Sequence, residues 1–332
     1  SLSLSLPFFP SLHSSMDHSS TGTEDTPLDF LLGLSSSLLG HVPIGIAMTS
    51  PSSPIFELAI QMFARGPDST RVLANSFYDL EADAIAALRA NGVKMTPIGP
   101  DFGAEHEDDD GNKVTPLDEA QLECLHWLDK QKAKSVVYVA FGSTGLLTDA
   151  EIPELATALE VVGCPFLWAI RDGSATESLP ENFRSGRLPV EKGLIVSWAP
   201  QKEVLGHASV GAFVSHCGWN SMLESIWNGV PVVVCPRLAE QNTNMWLAQE
   251  WGIGVAGVDT MMGGVGSLRS ATLVNALRSV MGKVGVEESL TQVKLRKKVV
   301  ELAAVARAAI SPSGTSTQAF QEFVDDLLEV KC

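Results

Sequence analysis

The run His216-Cys217-Gly218-Trp219-Asn220-Ser221 gathers chemically capable residues between two structurally plain stretches. Ahead of it, Gly211 to Ser215 reads as a short buried strand, and behind it Ser221 to Gly229 reads as a helix closed by a glycine. Gly218 permits a tight strand-to-helix turn, and either Asn220 or Ser221 is placed to cap the helix. The leading N–H groups and the positive end of the helix dipole then face outward, which attracts phosphate. Pro231 to Pro236 is a second apolar strand that delivers Glu240 and Gln241 just past its carboxyl end. Open α/β sheets bind their ligands at that edge. A carboxylate and an amide there suit the hydroxyls of a sugar, which both donate and accept.

The same residues have plainer uses. His216 and Cys217 are adjacent, and neighbours on a strand face opposite ways, which argues against a nucleophile–base pair. Cys217 and Cys235 fit small core positions, and zinc would need four ligands at a recognisable spacing that these residues do not supply. Trp227 lies at helical spacing from Leu223, a core pattern, and Trp219 by itself is open to either role.

From Trp198 to Gln241 the chain resembles the signature box of plant UDP-dependent glycosyltransferases of secondary metabolism, at the family's length. It keeps the tryptophan start, Ala199-Pro200-Gln201, the His-Cys-Gly-Trp-Asn-Ser core, Glu224 in the helix and the closing Glu240-Gln241. The resemblance implies that Trp198 stacks on uracil, while Ala199 and Gln201 bond the base and ribose region. It implies that Glu224 holds the ribose hydroxyls and that His216, Asn220 and Ser221 take the diphosphate. Trp219, Glu240 and Gln241 are then the readers of the sugar. A closing glutamine is associated in this family with UDP-glucose, a histidine there with galactose, and arginine in place of Trp219 with glucuronic acid. UDP-glucose is therefore the expected co-substrate, with no other cofactor and no metal.

The elements that must position these residues follow in order. Ser135 to Ser143 is a continuous apolar strand of the kind buried in a parallel sheet. It ends in the small-residue turn Gly142-Ser143-Thr144-Gly145, after which Thr148 and Glu151 read as a capping box. The turn is neither a dinucleotide fingerprint nor a P-loop. In the family the matching turn contacts the diphosphate, which adds Ser143 and Thr144 to the expected site. Cys164 to Ile170 and Gly193 to Trp198 are further strands, with a short helix from Pro200 to Gly206 and His207 at its end. Helices are expected through Asn242 to Gly252, Ala271 to Gly282 and Val286 to Ile310, with Ile253 to Val258 as the last strand. Strands alternating with helices give a doubly wound parallel sheet, a Rossmann-like lobe. The helix before the first of these strands shows Leu122, Leu125 and Leu128 as its apolar positions.

The resemblance implies the two-lobed GT-B architecture: α/β, with a complete C-terminal Rossmann-like donor lobe and a partial N-terminal lobe. Residues 1–100 are expected to be the remnant of an acceptor-binding domain, 101–116 an acidic linker, 117–310 the donor-binding domain, and 311–332 a terminal helix that packs back on the first domain. Residues 1–27 are rich in serine, proline and threonine and read as loop. Asp29 to Gly45 is apolar but broken, and either lines a pocket or forms a loop. Ser53-Pro54 opens a helix that Gly66 stops, Arg71 to Phe77 is a strand, and Tyr78 to Gly92 is a helix. Leu73 to Glu81 followed by Thr96 to Pro100 resembles the close of the family's acceptor domain. His106 beside Asp108 to Asp110 reads as a solvated linker sooner than a metal site.

The family's inverting chemistry uses an early histidine as general base, oriented by an aspartate, to take the proton of the acceptor hydroxyl. His13, His18 and His41 do not stand in a matching context. The sequence therefore reads as a piece whose base lies elsewhere, and two functions follow. One is a UDP-glucosyltransferase acting on hydroxyls of small lipophilic or phenolic acceptors; the other is a UDP-sugar-binding protein without turnover. A nicotinamide-dependent oxidoreductase is disfavoured by the missing dinucleotide fingerprint.

Composition narrows the partners. With 332 residues, a formal net charge of −16 and no basic stripe, the chain is ill suited to nucleic acid or anionic membrane surfaces. No apolar run reaches the length of a membrane span. Five unevenly spaced cysteines fit a reducing cytosol, and the expected state is a cytoplasmic monomer.

Overall fold

The computed structural model describes residues 61, 65–102, 117–142, 147–170, 174–184, 191–238, 240–259, 266–282 and 287–329. The readings made for residues 1–60, including His13, His18, His41 and the helix after Ser53-Pro54, lie outside the described residues, as do most of the acidic stretch and the turn residues Ser143 and Thr144.

Two parallel sheets organise the described residues. The smaller pairs β1 (Val72–Ala74) with β2 (Met95–Pro97), joined by helix α1 (Ala82–Ala90). The α1 helix buries Ala84, Ile85, Ala87 and Leu88 against this pair. After α2 (Glu119–Leu128) comes β3 (Val136–Ala140), then α3 (Glu151–Val162) and β4 (Phe166–Ala169). Two single-turn helices, α4 (Ser174–Glu177) and α5 (Glu181–Arg184), precede β5 (Gly193–Val196) and α6 (Gln201–Gly206). Then follow β6 (Val210–Ser215), α7 (Trp219–Asn228), β7 (Val232–Val234), α8 (Gln241–Glu250) and β8 (Gly254–Ala256). The long helices α9 (Ser270–Met281), α10 (Leu290–Ala309) and α11 (Thr315–Glu329) complete the described chain.

The larger sheet runs β5-β4-β3-β6-β7-β8, all parallel. This is the dinucleotide-fold strand order, and it reverses direction between β3 and β6. Every residue of β3, β6 and β7 is buried, because a parallel sheet is covered by helices on both faces. Between the central strands Tyr138 stacks on Phe213 with ring centroids 5.0 Å apart. The crevice at the strand reversal is therefore carried on the most deeply packed strands of the molecule.

Three local readings need correction. In α2 the buried positions are Cys124, Trp127 and Leu128 with Leu125 packed beside them, whereas Leu122 is exposed; the core-facing side is shifted toward Cys124 and Trp127. Helix α7 begins two to three residues earlier than expected, with Gly218 at its N-cap and no side-chain cap, so Asn220 and Ser221 lie within its first turn. Of the capping box at Thr148, only the return half forms. The Glu151 carboxylate accepts from both the Thr148 N–H and its hydroxyl at 3.0 Å, so the hydroxyl is spent on the carboxylate instead of on the helix end.

The first sheet is tied to the rest at several points. Ser316, in α11, donates to the Gly99 carbonyl at 2.6 Å, and Arg71 pairs with Asp326. The Asp101 N–H donates to Asn75 Oδ1 at 2.7 Å, and the Phe102 ring meets Trp227 edge-on at 5.5 Å.

Candidate active site

A cleft of about 580 Å³ opens at the carboxyl edge where β3 and β6 diverge. Its floor is Tyr138 and Trp168, its rim carries Trp198, and Gln201, Glu224 and His216 project their polar groups into it.

His216 sits at the strand reversal itself. Its ring is held so closely between two glycines that a Cβ on Gly142 would lie 2.7 Å from Nε2, and one on Gly218 would lie 2.6 Å away. Real Cβ atoms do not approach so near, so both positions are glycine to let the imidazole occupy the turn. Burial holds the His216 pKa below its ordinary 6.5, against the opposing influence of the Glu240 charge and the Ala140 backbone. Its Nδ1 is buried with no hydrogen-bond partner among the described residues. An imidazole with an unpartnered ring nitrogen thus lies beside the start of a helix, where an anion is favoured.

The next residue, Cys217, adopts φ 66, a left-handed conformation unusual for a residue with a side chain. Its N–H donates to Ser215 Oγ at 3.1 Å, and its carbonyl accepts from Asn244 Nδ2 at 2.8 Å. These bonds hold a reversal that points the first N–H groups of α7 at the cleft. The Cys217 thiol is fully buried, and burial raises its pKa well above the ordinary value, as it does that of Cys235, to about 12. Neither sulfur is a nucleophile here, which agrees with a core role for both.

At the other end of the cleft, the side chains bond one another. Gln201, the first residue of α6, donates through Nε2 to Ser221 Oγ at 2.9 Å and to Glu224 Oε2 at 2.6 Å, while its Oε1 accepts from the Tyr138 hydroxyl at 3.4 Å. Burial raises the Glu224 pKa; the Gln201 bond opposes this. Trp198 is 57% exposed, an indole face offered to solvent at the rim. Ala199 is buried behind it.

The three residues read as sugar contacts are placed differently. Trp219 lines the cleft, but its indole N–H donates to the Asn75 carbonyl at 2.7 Å and its ring leans on Trp251. Glu240 is the N-cap residue of α8, and Gln241 is buried in its first turn. Neither borders the cleft. Gln241 Oε1 accepts from the N–H groups of Arg237 at 2.8 Å and Leu238 at 3.0 Å. Asn220 and Ser221 do line the cleft.

Sequence reasoning missed Tyr138 and Trp168 in the floor, Asn75 as the partner of Trp219, and the buried pair Glu151–Arg237, whose Oε1 and Nη1 lie 2.6 Å apart. A signal for the last was present: one basic residue immediately behind a wholly apolar strand. Among the described residues no group of three potential metal ligands comes together, and no helix is long and apolar enough to cross a membrane.

Known proteins share this arrangement. Residues 103–294 match the family described as UDP-glucoronosyl and UDP-glucosyl transferase. A flavonol 3-O-glucosyltransferase of Arabidopsis thaliana is 38% identical over 82% of the chain, and an anthocyanidin 3-O-galactosyltransferase of Actinidia chinensis is 34% identical over 93%. The chain spans 56% of the first relative's length and 62% of the second's. Among solved structures, a UDP-glucose:anthocyanidin 3-O-glucosyltransferase in complex with UDP superposes with a TM-score of 0.81 at 27% identity, covering 98% of this chain and 67% of that one. UGT2 of Phytolacca americana, complexed with UDP-2fluoro-glucose and pterostilbene, gives 0.76 at 30% identity, covering 96% and 67%.

Proposed function

The chain belongs to the UDP-glucoronosyl and UDP-glucosyl transferase family, and from that premise we propose that its cleft holds a UDP-sugar whose hexose passes, with inversion, to a hydroxyl of a small phenolic acceptor. Glucose is the favoured hexose, on the closing Gln241.

The observation that carries the reading is the His216 imidazole seated between Gly142 and Gly218 at the start of α7. In this reading the diphosphate lies against that imidazole, the first N–H groups of α7, Asn220 and Ser221, and Ser143 and Thr144 are further diphosphate contacts. The uracil stacks on the exposed Trp198 face, Ala199 and Gln201 meet the base and ribose, and Glu224 accepts from the ribose hydroxyls. Trp219 meets the hexose in the cleft; Glu240 and Gln241, which do not border it, act on the hexose through the start of α8 that they form. The acceptor oxygen bonds to the anomeric carbon as the bond to the phosphate oxygen breaks; UDP departs with the electron pair, and a base takes the acceptor proton. Helix N–H groups aimed at the departing diphosphate stabilise its growing charge, so the reading needs no metal. The protein works as a cytoplasmic monomer with small molecules as its partners.

Calorimetry with UDP, UDP-glucose and UDP-galactose, followed by transfer assays on a phenolic acceptor panel with and without EDTA, tests this. The expected result is micromolar binding that Trp198→Ala weakens and EDTA leaves unchanged, with glucosyl transfer when a base-bearing acceptor domain of a relative is joined to the chain. Absence of UDP binding overturns the donor site; binding without transfer by the joined protein overturns turnover and leaves a UDP-sugar-binding protein.

A further inference from the structure

Outside the cleft, the most unusual group in the molecule is the Arg237 side chain, which is 2% exposed. It lies three residues past the end of β7, and its guanidinium has three neighbours. Nη1 donates to Glu151 Oε1 at 2.6 Å and to the Gly266 carbonyl at 3.3 Å, and the group lies 5.6 Å from the Phe141 ring centroid. Its Nε and Nη2 find no partner among the described residues. A buried cation with two donors unspent is costly, and replacement of such pairs by apolar residues is often neutral or stabilising. Stability alone does not account for it.

What the pair does is connect. Besides Arg237, the Glu151 carboxylate accepts from the Leu268 N–H at 3.1 Å and from the N–H and hydroxyl of Thr148. One carboxylate therefore gathers the segment after β3, the segment after β7 and the segment leading into α9. Strands β3 and β7 flank β6 on either side, so the pair reaches across the strand that leads into His216. The Arg237 backbone continues the connection, since its N–H is one of two that Gln241 Oε1 accepts. With its carbonyl oxygen bound there, the Gln241 amide is fixed in one orientation.

We propose that Glu151 and Arg237 are a positioning pair that holds the segment Arg237 to Gln241 against the end of β6, and so sets how the chain discriminates the hexose of its donor without touching UDP. This rests on the donor-site reading above. The pair is remote from Trp198, Gln201 and Glu224, which lie at the opposite end of the cleft, so its loss is felt in the sugar part of the ligand alone.

The test uses Glu151→Gln and Arg237→Met, with Arg237→Lys as the conservative variant, in the full chain. Two readouts are taken. Without ligand, hydrogen exchange at the Arg237 and Leu238 amides is expected to quicken at least tenfold in the first two variants, while amides of β6 and α7 stay protected. With ligand, calorimetry is expected to show the ratio of UDP-glucose to UDP affinity changing at least fivefold, UDP affinity itself moving less than twofold, and Arg237→Lys restoring most of the ratio. In a Gln241→Ala background, Glu151→Gln is expected to have no further effect on that ratio. UDP and UDP-glucose affinities falling together, an unchanged ratio, or effects that simply add in the double variant would overturn the proposal. If Arg237→Met does not fold, the Glu151→Gln and Arg237→Lys comparisons carry the same decision. Failure of the unaltered chain to bind UDP would instead overturn the donor site, while the exchange readout still decides whether the pair holds the segment.

Discussion

The two ends of the cleft are built on opposite plans. At the Trp198 end the polar side chains bond to one another: Gln201 to Ser221, Glu224 and Tyr138, beside an indole left bare. These bonds can be exchanged for bonds to a ligand without moving the backbone. At the His216 end the backbone is fixed instead, by two glycines that leave no room for Cβ atoms and a left-handed cysteine, while a buried ion pair holds the neighbouring segment from Arg237 to Gln241. A base and a ribose can be met by side chains that re-pair. Charge on a diphosphate is best met by dipoles that do not move.

If the contrast is sound, breaking the buried pair should have the largest effect. Arg237→Met leaves Glu151 a buried charge without its partner, and a loss of about 3–5 kcal/mol of stability is expected in chemical denaturation. Trp198→Ala should do the reverse: a loss of about 1–3 kcal/mol in UDP affinity by calorimetry, from lost stacking, with no shift in the unfolding midpoint, because the ring is exposed. A drop in stability there would mean that the ring is packed and not offered.

Gly218→Ala sharpens the other half. With φ at −57 the position tolerates any residue locally, so the damage must come from the contact with the His216 ring. UDP affinity should fall about tenfold, roughly 1.4 kcal/mol, with helix α7 intact by circular dichroism.

A smaller effect is expected with pH. The folded pKa of His216 lies below the ordinary 6.5, so the unfolded chain takes up a proton first as pH falls. Its contribution to stability is complete above 6.5 and is lost as pH drops toward the folded value; the difference between the denaturation profiles of the unaltered chain and His216→Gln should show that window.

The smallest expected effect is a gain. Glu224 has a raised pKa, so its ionised form at neutral pH costs the fold something, and Glu224→Gln should raise the melting temperature by about 2 °C while weakening UDP binding. Higher stability with unchanged affinity would remove Glu224 from the ribose.

The glycines at 142 and 218, the histidine between a buried strand and a helix, and the apolar runs of β3, β6 and β7 are local patterns, so the sequence carries them openly. Period and turn chemistry report on neighbours along the chain. They were less informative at α2, where Trp127 and Cys124 are buried beside Leu128 and Leu122 is exposed.

What the sequence by itself determined is the alternation of strand and helix, the family box and the residues proposed to meet a donor. Only the tertiary structure decided which atoms of those residues are already spoken for. Trp219 gives its one donor to Asn75, and Gln241 gives its carbonyl to the backbone of residues 237 and 238. The strand order brought Glu151 to Arg237, 86 residues apart. Contacts of that separation arise from how strands are ordered in the sheet, and no window of sequence a turn or a helix long contains both partners.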